Sequence, residues 1–207
     1  SDPDIAKWFP EIVNTEVVVD WDSKDRKIYD MLTKDALQHG FDEENPLALI
    51  TVLQMLCDAP TIIQNSAARF EAYEDSVESW DGFGKAPPRS GSEIAAELVS
   101  RLEQDLNNDT HTKFQALKEL LDRHSNEKVV VFSSLKTGLM PVLKERFEKW
   151  GVSYVEYDGT DQQKQEAQDT FMSDPDIRVF LSSDQGSDSL DLYEASVVIN
   201  YDLPWNW

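Results

Sequence analysis

The chain changes texture near Asn126. Beyond it, short apolar runs alternate with amphipathic stretches. Val129-Val130-Val131-Phe132, Val152 to Tyr157, Val179-Phe180-Leu181 and Val197-Val198-Ile199 read as strands. Between the first two, Leu139, Val142, Leu143 and Phe147 recur at helical spacing, and Gly151 stands where a left-handed residue would stop the helix. Ala167 and Phe171 anchor another helix before the third strand. Apolar strands separated by helices predict an α/β fold with a parallel sheet covered on both faces. Right-handed crossovers would leave the functional loops at the C-terminal ends of the strands.

The pattern before Asn126 is mainly helical. Glu16 to Trp21 predicts a short strand, followed by Ser23 as a helix N-cap. Ile28, Leu32, Ala36 and Leu37 give that helix one apolar stripe, and Gly40 can end it. A second helix is expected from Pro46, with Leu49, Leu53 and Leu56 as its stripe and Ile50 and Cys57 beside it. It is apolar on most faces, so burial is expected. Gly82, Gly84, Pro87, Pro88 and Gly91 predict an exposed loop over residues 73–91, and Ile94, Leu98, Leu102 and Leu106 mark a helix beyond it. Thr112-Lys113-Phe114-Gln115 has capping-box spacing, and Phe114, Leu117 and Leu121 form the stripe of the helix it opens. The expected organisation is a mainly helical segment over 1–125 and an α/β unit over 126–207.

Of the 207 residues, 40% are hydrophobic and 29% charged, ordinary values for a globular domain. No apolar run approaches the roughly 18 residues that suggest a membrane span. Ser1-Asp2-Pro3-Asp4 lacks the basic and apolar regions of a signal peptide. With no initiator Met and an abrupt stop at Trp207, the chain is expected to be a processed or excised piece. The single cysteine, Cys57, excludes an internal disulfide, fits an intracellular setting and reads as core. His39, His111 and His124 have no metal-ligand spacing. The net charge of −21 runs against nucleic-acid binding, where Lys and Arg neutralise phosphates. A local basic strip can nevertheless exist on an acidic protein.

Candidate chemistry lies after the strands. Ser133 and Ser134 follow the first, Asp158-Gly159-Thr160 the second, Ser182 to Asp188 the third, and Asp202-Leu203-Pro204-Trp205-Asn206 the last. In a parallel sheet these loops share one edge, where hydroxyls and free backbone N–H groups can bind phosphate. Each loop alone is ordinary turn chemistry. Their order is more specific.

Val129-Val130-Val131-Phe132-Ser133-Ser134 resembles helicase motif IV of the Swi/Snf family. Tyr157-Asp158-Gly159-Thr160, followed by Lys164 and Phe171, resembles the next family block. Leu181 to Leu192 resembles motif V, in the family Leu-Ser-Thr-x-Ala-Gly-Gly-x-Gly-Leu-Asn-Leu. Val198 to Asn206 resembles the segment after it, and Asp-x-x-Trp-Asn behind a strand is the most specific match. Leu53-Gln54-Met55-Leu56-Cys57-Asp58-Ala59-Pro60 resembles the family's Leu-Arg-x-x-Cys-x-His-Pro helix end, with Gln54 for Arg and Ala59 for His. Lys113-Phe114 resembles the Lys-Leu pair that opens the lobe. Nearly the whole chain is covered.

The chain therefore resembles the C-terminal RecA-like lobe of a Swi/Snf-type superfamily-two helicase or translocase, ending before motif VI. That resemblance implies a RecA-like parallel sheet preceded by a mainly helical segment. It implies a first RecA-like lobe and double-stranded DNA as partners, and no membrane. ATP and magnesium are expected only with the first lobe. By position, Gly186, Ser187, Asp188 and Asp191 correspond to the ATP and lobe interface. Ser133, Ser134, Gly159, Thr160, Lys164, Ser182, Ser183, Trp205 and Asn206 correspond to the DNA side. Trp205 also fits a strand-end core aromatic. No catalytic residue or metal ligand is assigned.

The departures from the family are specific. Ser187 and Ser189 stand where it has glycine, adding a Cβ where backbone approaches ligand closely. Asp191 replaces Asn and would repel phosphate, and Lys164 replaces an Arg and loses its fork. No Gly-x-x-x-x-Gly-Lys-Ser/Thr occurs in the sequence, and the motif VI arginines would follow Trp207, so this piece is expected not to hydrolyse ATP alone. Two readings stay open: half of a DNA-dependent ATPase motor, or a degenerate RecA-like module that binds proteins without catalysis. A different nucleotide-binding α/β enzyme is disfavoured by the missing glycine-rich loop.

Overall fold

In the computed structural model, residues 12–34, 46–63, 111–135, 138–183 and 190–202 are described. Four strands form one all-parallel sheet: β1 (Lys128–Ser133), β2 (Tyr154–Tyr157), β3 (Val179–Ser183) and β4 (Ala195–Asn200). Their order is β2-β3-β1-β4, so the two most apolar strands lie in the middle. Val129 pairs with Val179 on one side and Val197 on the other. Side chains alternate between the faces of such a sheet. Val129, Val131, Val179 and Leu181 meet helices α3 (Thr112–Arg123) and α4 (Leu139–Trp150) through Phe114, Leu117, Leu121, Leu143 and Phe147. On the opposite face, Val130 and Phe180 pack on Phe171 of helix α5 (Asp161–Ser173).

A second core joins helices α1 (Ser23–Lys34) and α2 (Pro46–Asp58) through Ile28, Leu32, Val52, Leu56 and Ile63. Ala59 and Ile62, just beyond α2, belong instead to the main core. The helical segment is thus seated on the sheet unit. Gly138, which precedes α4, has room for no side chain there: a Cβ would lie 2.6 Å from a methyl of Ile62. Gly151 ends α4 with φ +66, as the sequence predicts.

Several local expectations change. Residues 16–21 belong to no strand, because their backbone finds no partner edge among the described residues. Ser23 is already helical; the Asp22 carbonyl accepts from the Arg26 N–H at 2.9 Å. Thr112 is the first residue of α3 rather than its cap, and its hydroxyl donates to the Asp20 carbonyl at 2.8 Å. His111 holds the cap position without a side-chain bond. The capping box belongs to α5, where the Gln163 N–H donates to Thr160 Oγ1 at 3.3 Å and the Thr160 N–H to Gln163 Oε1 at 2.9 Å. In α2 the deepest stripe residues are Val52 and Leu56, while Leu49, Ile50, Leu53 and Cys57 are half-buried. The outer face of β4 is open among the described residues: Val198 is 59% exposed beside exposed Ser196 and Asn200. Helix α5 lies over β2 and β3 rather than over that part of β4. The expected Gly40 stop, the 73–91 loop and the helix through Ile94 and Leu106 lie outside the described residues.

Candidate functional site

The register aligns Ser133 with Ser183, Phe132 with Asn200 and Tyr157 with Ser182. The described strand ends from which the loops singled out in the sequence depart therefore lie along one edge of the sheet. Their polar groups are not equally available. Ser133 is buried, and its hydroxyl donates to Asp202 Oδ2 at 2.5 Å. The Ser134 N–H donates to Asp202 Oδ1 at 2.8 Å, and the Leu135 N–H to Ser133 Oγ at 3.2 Å. One carboxylate thus closes the turn between β1 and α4. Ser182 is fully buried and donates to the Ser183 carbonyl at 3.1 Å. Both serine hydroxyls are directed at protein acceptors.

The β2 side is more open. Gly159 has φ +89, a conformation that favours glycine, and a Cβ there would strike the Gln163 side chain. Thr160 is exposed but engaged in the α5 capping box. Lys164, in the first turns of that helix, is half-buried with its ammonium 5.5 Å above the Tyr157 ring. Asp191 is exposed, and its backbone carbonyl accepts from Gln168 Nε2 at 3.1 Å, which ties the segment after β3 to α5. Gly186, Ser187, Asp188, Trp205 and Asn206 lie outside the described residues.

Behind the edge lies a polar cluster that sequence reading missed. The Tyr201 N–H donates to the Phe132 carbonyl at 2.9 Å, immediately past β4. Its phenol donates to the Asp58 backbone carbonyl at 2.6 Å, 143 residues away in sequence. Lys113 pairs with Asp58 Oδ1 and sets its ammonium 4.5 Å above the Tyr201 ring. Asp58, Lys113 and Asp202 each sit inside a family-like block, but only proximity in space makes them one cluster. The pattern offered no signal for it beyond that shared membership.

Burial pushes the Asp58 carboxyl up to about 6, against the attraction of Lys113. Burial, then the charge of Lys113, pulls His111 down to about 4; its Nε2 lies 3.5 Å from Asp25 Oδ2. The Tyr201 phenol is raised, chiefly by burial and next by Asp58. Burial and then Asp58 push the Cys57 thiol up to about 11, so it is no thiolate nucleophile. Among the described residues no group of three or more His, Cys, Asp or Glu could hold a metal ion. No helix among them is long and apolar enough to cross a membrane. Among the described residues, the Ser133 and Ser182 hydroxyls face protein oxygens rather than an open site, and the sequence contains no P-loop motif.

Residues 112–207 match the family model for the helicase conserved C-terminal domain. Over 187 residues, covering 82% of this chain, the sequence is 30% identical to the DNA repair and recombination protein RAD54B of Gallus gallus. Over 193 residues, covering 87% of this chain, it is 25% identical to the SNF2 domain-containing protein ENL1 of Oryza sativa subsp. japonica. In each case the chain spans 19% of the relative's length. Its fold is like the C-terminal part of the Fun30 ATPase domain, with a TM-score of 0.59, 20% identity, and coverage of 91% of this chain and 74% of that one. It is also like the Pyrococcus furiosus Hef helicase domain, with a TM-score of 0.59, 15% identity, and coverage of 98% and 52%. With its parallel sheet and shared strand edge, the chain belongs to the Swi/Snf type of superfamily-two helicases, as a C-terminal RecA-like lobe.

Proposed function

We propose that this lobe is the second half of an ATP-dependent double-stranded DNA translocase of the chromatin-remodelling type. The observation that carries the reading is the placement of the family-like loops along one sheet edge of a helicase C-terminal domain. A first lobe supplies the P-loop and the magnesium-binding acid. ATP and magnesium would be held between the lobes, with the segment from Gly186 through Asp191 on this side. When bound, they supply the phosphoryl chemistry. This chain's part is to present donors and to hold the DNA-facing loops, with Gly159, Thr160 and Lys164 at the open end of the edge. Ser133, Ser134, Ser182 and Ser183 act there by shaping the loops. Trp205 and Asn206 complete the DNA side. The exposed edge can meet phosphates through backbone dipoles despite the net charge of −21.

The test is an ATPase assay with and without duplex DNA. The 207-residue chain alone should show no hydrolysis above background. The two-lobe protein, with a P-loop lobe and a motif VI segment, should show DNA-stimulated hydrolysis. A folded two-lobe protein without it would overturn the motor reading. A second reading, a RecA-like module that binds protein partners without catalysis, is favoured by Asp202 occupying the donors of Ser133 and Ser134. Partner binding without nucleotide dependence would support that reading.

A further inference from the structure

We propose that Tyr201, seated on Asp58 and Lys113, is a positioning residue for the Asp202 clamp, so that the end of α2 sets the geometry of the sheet edge. The inference rests on the motor reading for its consequence, though not for its geometry.

Three observations carry it. The first is continuity. Asp58 ends α2, its carbonyl accepts from the Tyr201 phenol, and Tyr201 bonds through its own N–H to β1 at Phe132. The next residue, Asp202, holds Ser133 and Ser134. Consecutive Cα atoms are about 3.8 Å apart, so the seat of Tyr201 restricts where the Asp202 carboxylate can reach, with only the backbone dihedrals between them left to adjust. The second is chemical choice. Tyr201 is buried in an apolar core beside Phe114, where a phenylalanine would pack without needing a hydrogen bond. A buried phenol is costly unless bonded, and its bond here is to Asp58. The third is the form of the ion pair. Asp58 is 2% exposed, yet among the described residues only its Oδ1 is paired and Oδ2 has no partner, and burial outweighs Lys113 in setting its acidity. A buried pair of this kind adds little net stability compared with an apolar replacement. It does hold Lys113 above the Tyr201 ring and fixes where the ring sits.

The relay joins the helical segment to the edge. A change in the seat of α2 would reach the β1–α4 turn through Tyr201. Arg146 braces the same corner from α4, its guanidinium 5.1 Å from the Phe114 ring centre.

The test uses Tyr201→Phe, Lys113→Met and Lys113→Arg. In the 207-residue chain, amide hydrogen exchange at Ser134 is compared with that at Val131 in the middle of β1. Tyr201→Phe should accelerate exchange at Ser134 by about tenfold while leaving Val131 within about twofold. Lys113→Met should copy it, and Lys113→Arg should restore protection. In the two-lobe protein, the duplex concentration giving half-maximal ATPase should rise about fivefold in Tyr201→Phe, with kcat at saturating DNA within about twofold. Unchanged Ser134 exchange, or equal acceleration at Val131, overturns the relay whatever the ATPase does. If exchange behaves as expected but wild type shows no DNA-stimulated hydrolysis, the relay stands and the motor reading falls.

Discussion

The two ends of the sheet use charge in opposite ways. At the start of β1, Lys128 donates to the carbonyls of Phe171, Asp174 (2.6 Å) and Ile177 (3.1 Å), at and beyond the end of α5. Just before β3, Arg178 Nη2 donates to the carbonyls of Leu121 (2.8 Å) and His124 (3.3 Å) at the end of α3. At the other end an anion, Asp202, gathers the donors of Ser133 and Ser134. The difference follows from fold polarity. In a parallel α/β unit the covering helices run against the strands, so helix C-termini, with their unpaired carbonyls and partial negative charge, meet strand N-termini. Cations fit there, and anions fit the opposite edge. On an acidic chain this teaches that Lys128 and Arg178 are committed to the fold. The edge that would meet phosphate already carries an anion of its own.

That contrast can be broken in graded steps. The largest effect is expected from Lys128→Met, which strands three carbonyls at the end of α5. It should cost about 3 kcal/mol, read as a lower urea midpoint, with duplex DNA affinity unchanged. A fall in affinity without a fall in stability would reverse the assignment of the two ends. Asp202→Ala should cost about 2 kcal/mol, because the buried Ser133 hydroxyl loses its acceptor. Unlike Lys128→Met, it should also weaken DNA binding by the two-lobe protein, as a filter-binding titration would show. Gly138→Ala tests the joint between the segments. The new Cβ meets a branched methyl of Ile62, and overpacking should cost about 1–2 kcal/mol in the same urea assay. Thr160→Ala should cost about 1 kcal/mol by removing a real helix cap, and Thr112→Val only about half as much. Equal losses would mean that the two threonines are equivalent after all.

The smallest net effect concerns pH, because two buried groups oppose each other. Asp58 is raised from 3.8 to about 6, so its contribution to stability is complete below pH 3.8 and lost as pH rises through about 6. His111 is lowered from 6.5 to about 4, so its contribution is complete above pH 6.5 and lost as pH falls through about 4. On acidification from about pH 7 to 4, one gains while the other loses. Relative to wild type, Asp58→Asn should make stability fall more steeply with acid, and His111→Gln should make it fall less. Urea midpoints measured across that range would show it, and superimposable profiles would remove both groups from the account.

How much was legible depended on the range of the interaction. The stripe Phe114, Leu117 and Leu121, the stop at Gly151 and the apolar strands follow from residues within a turn or two of one another, and all appear in the structure. Two of the Thr-x-x-Gln sequences, those starting at Thr112 and Thr160, mark the limit. Thr112 and Thr160 look alike locally, but Asp20, 92 residues away from Thr112, draws its hydroxyl out of the capping position. The site divides in the same way. The strand-end loops were found by their order, whereas the Asp202 clamp and the Asp58–Lys113–Tyr201 seat were not.

The sequence by itself determined the parallel α/β unit and the family, and it marked the ends of the strands as the place to look for chemistry, because hydrophobic period and motif order are properties of neighbours along the chain. Only the tertiary structure decided which of those residues are open. Ser133 and Ser182 are turned inward and Asp202 takes the donors beside them, since buried hydroxyls and amides must find acceptors wherever the fold supplies them. It likewise decided that Lys113, read as a landmark, pairs with Asp58 under Tyr201. Pairings across 55 and 143 residues depend on how the elements pack, and no local pattern encodes them.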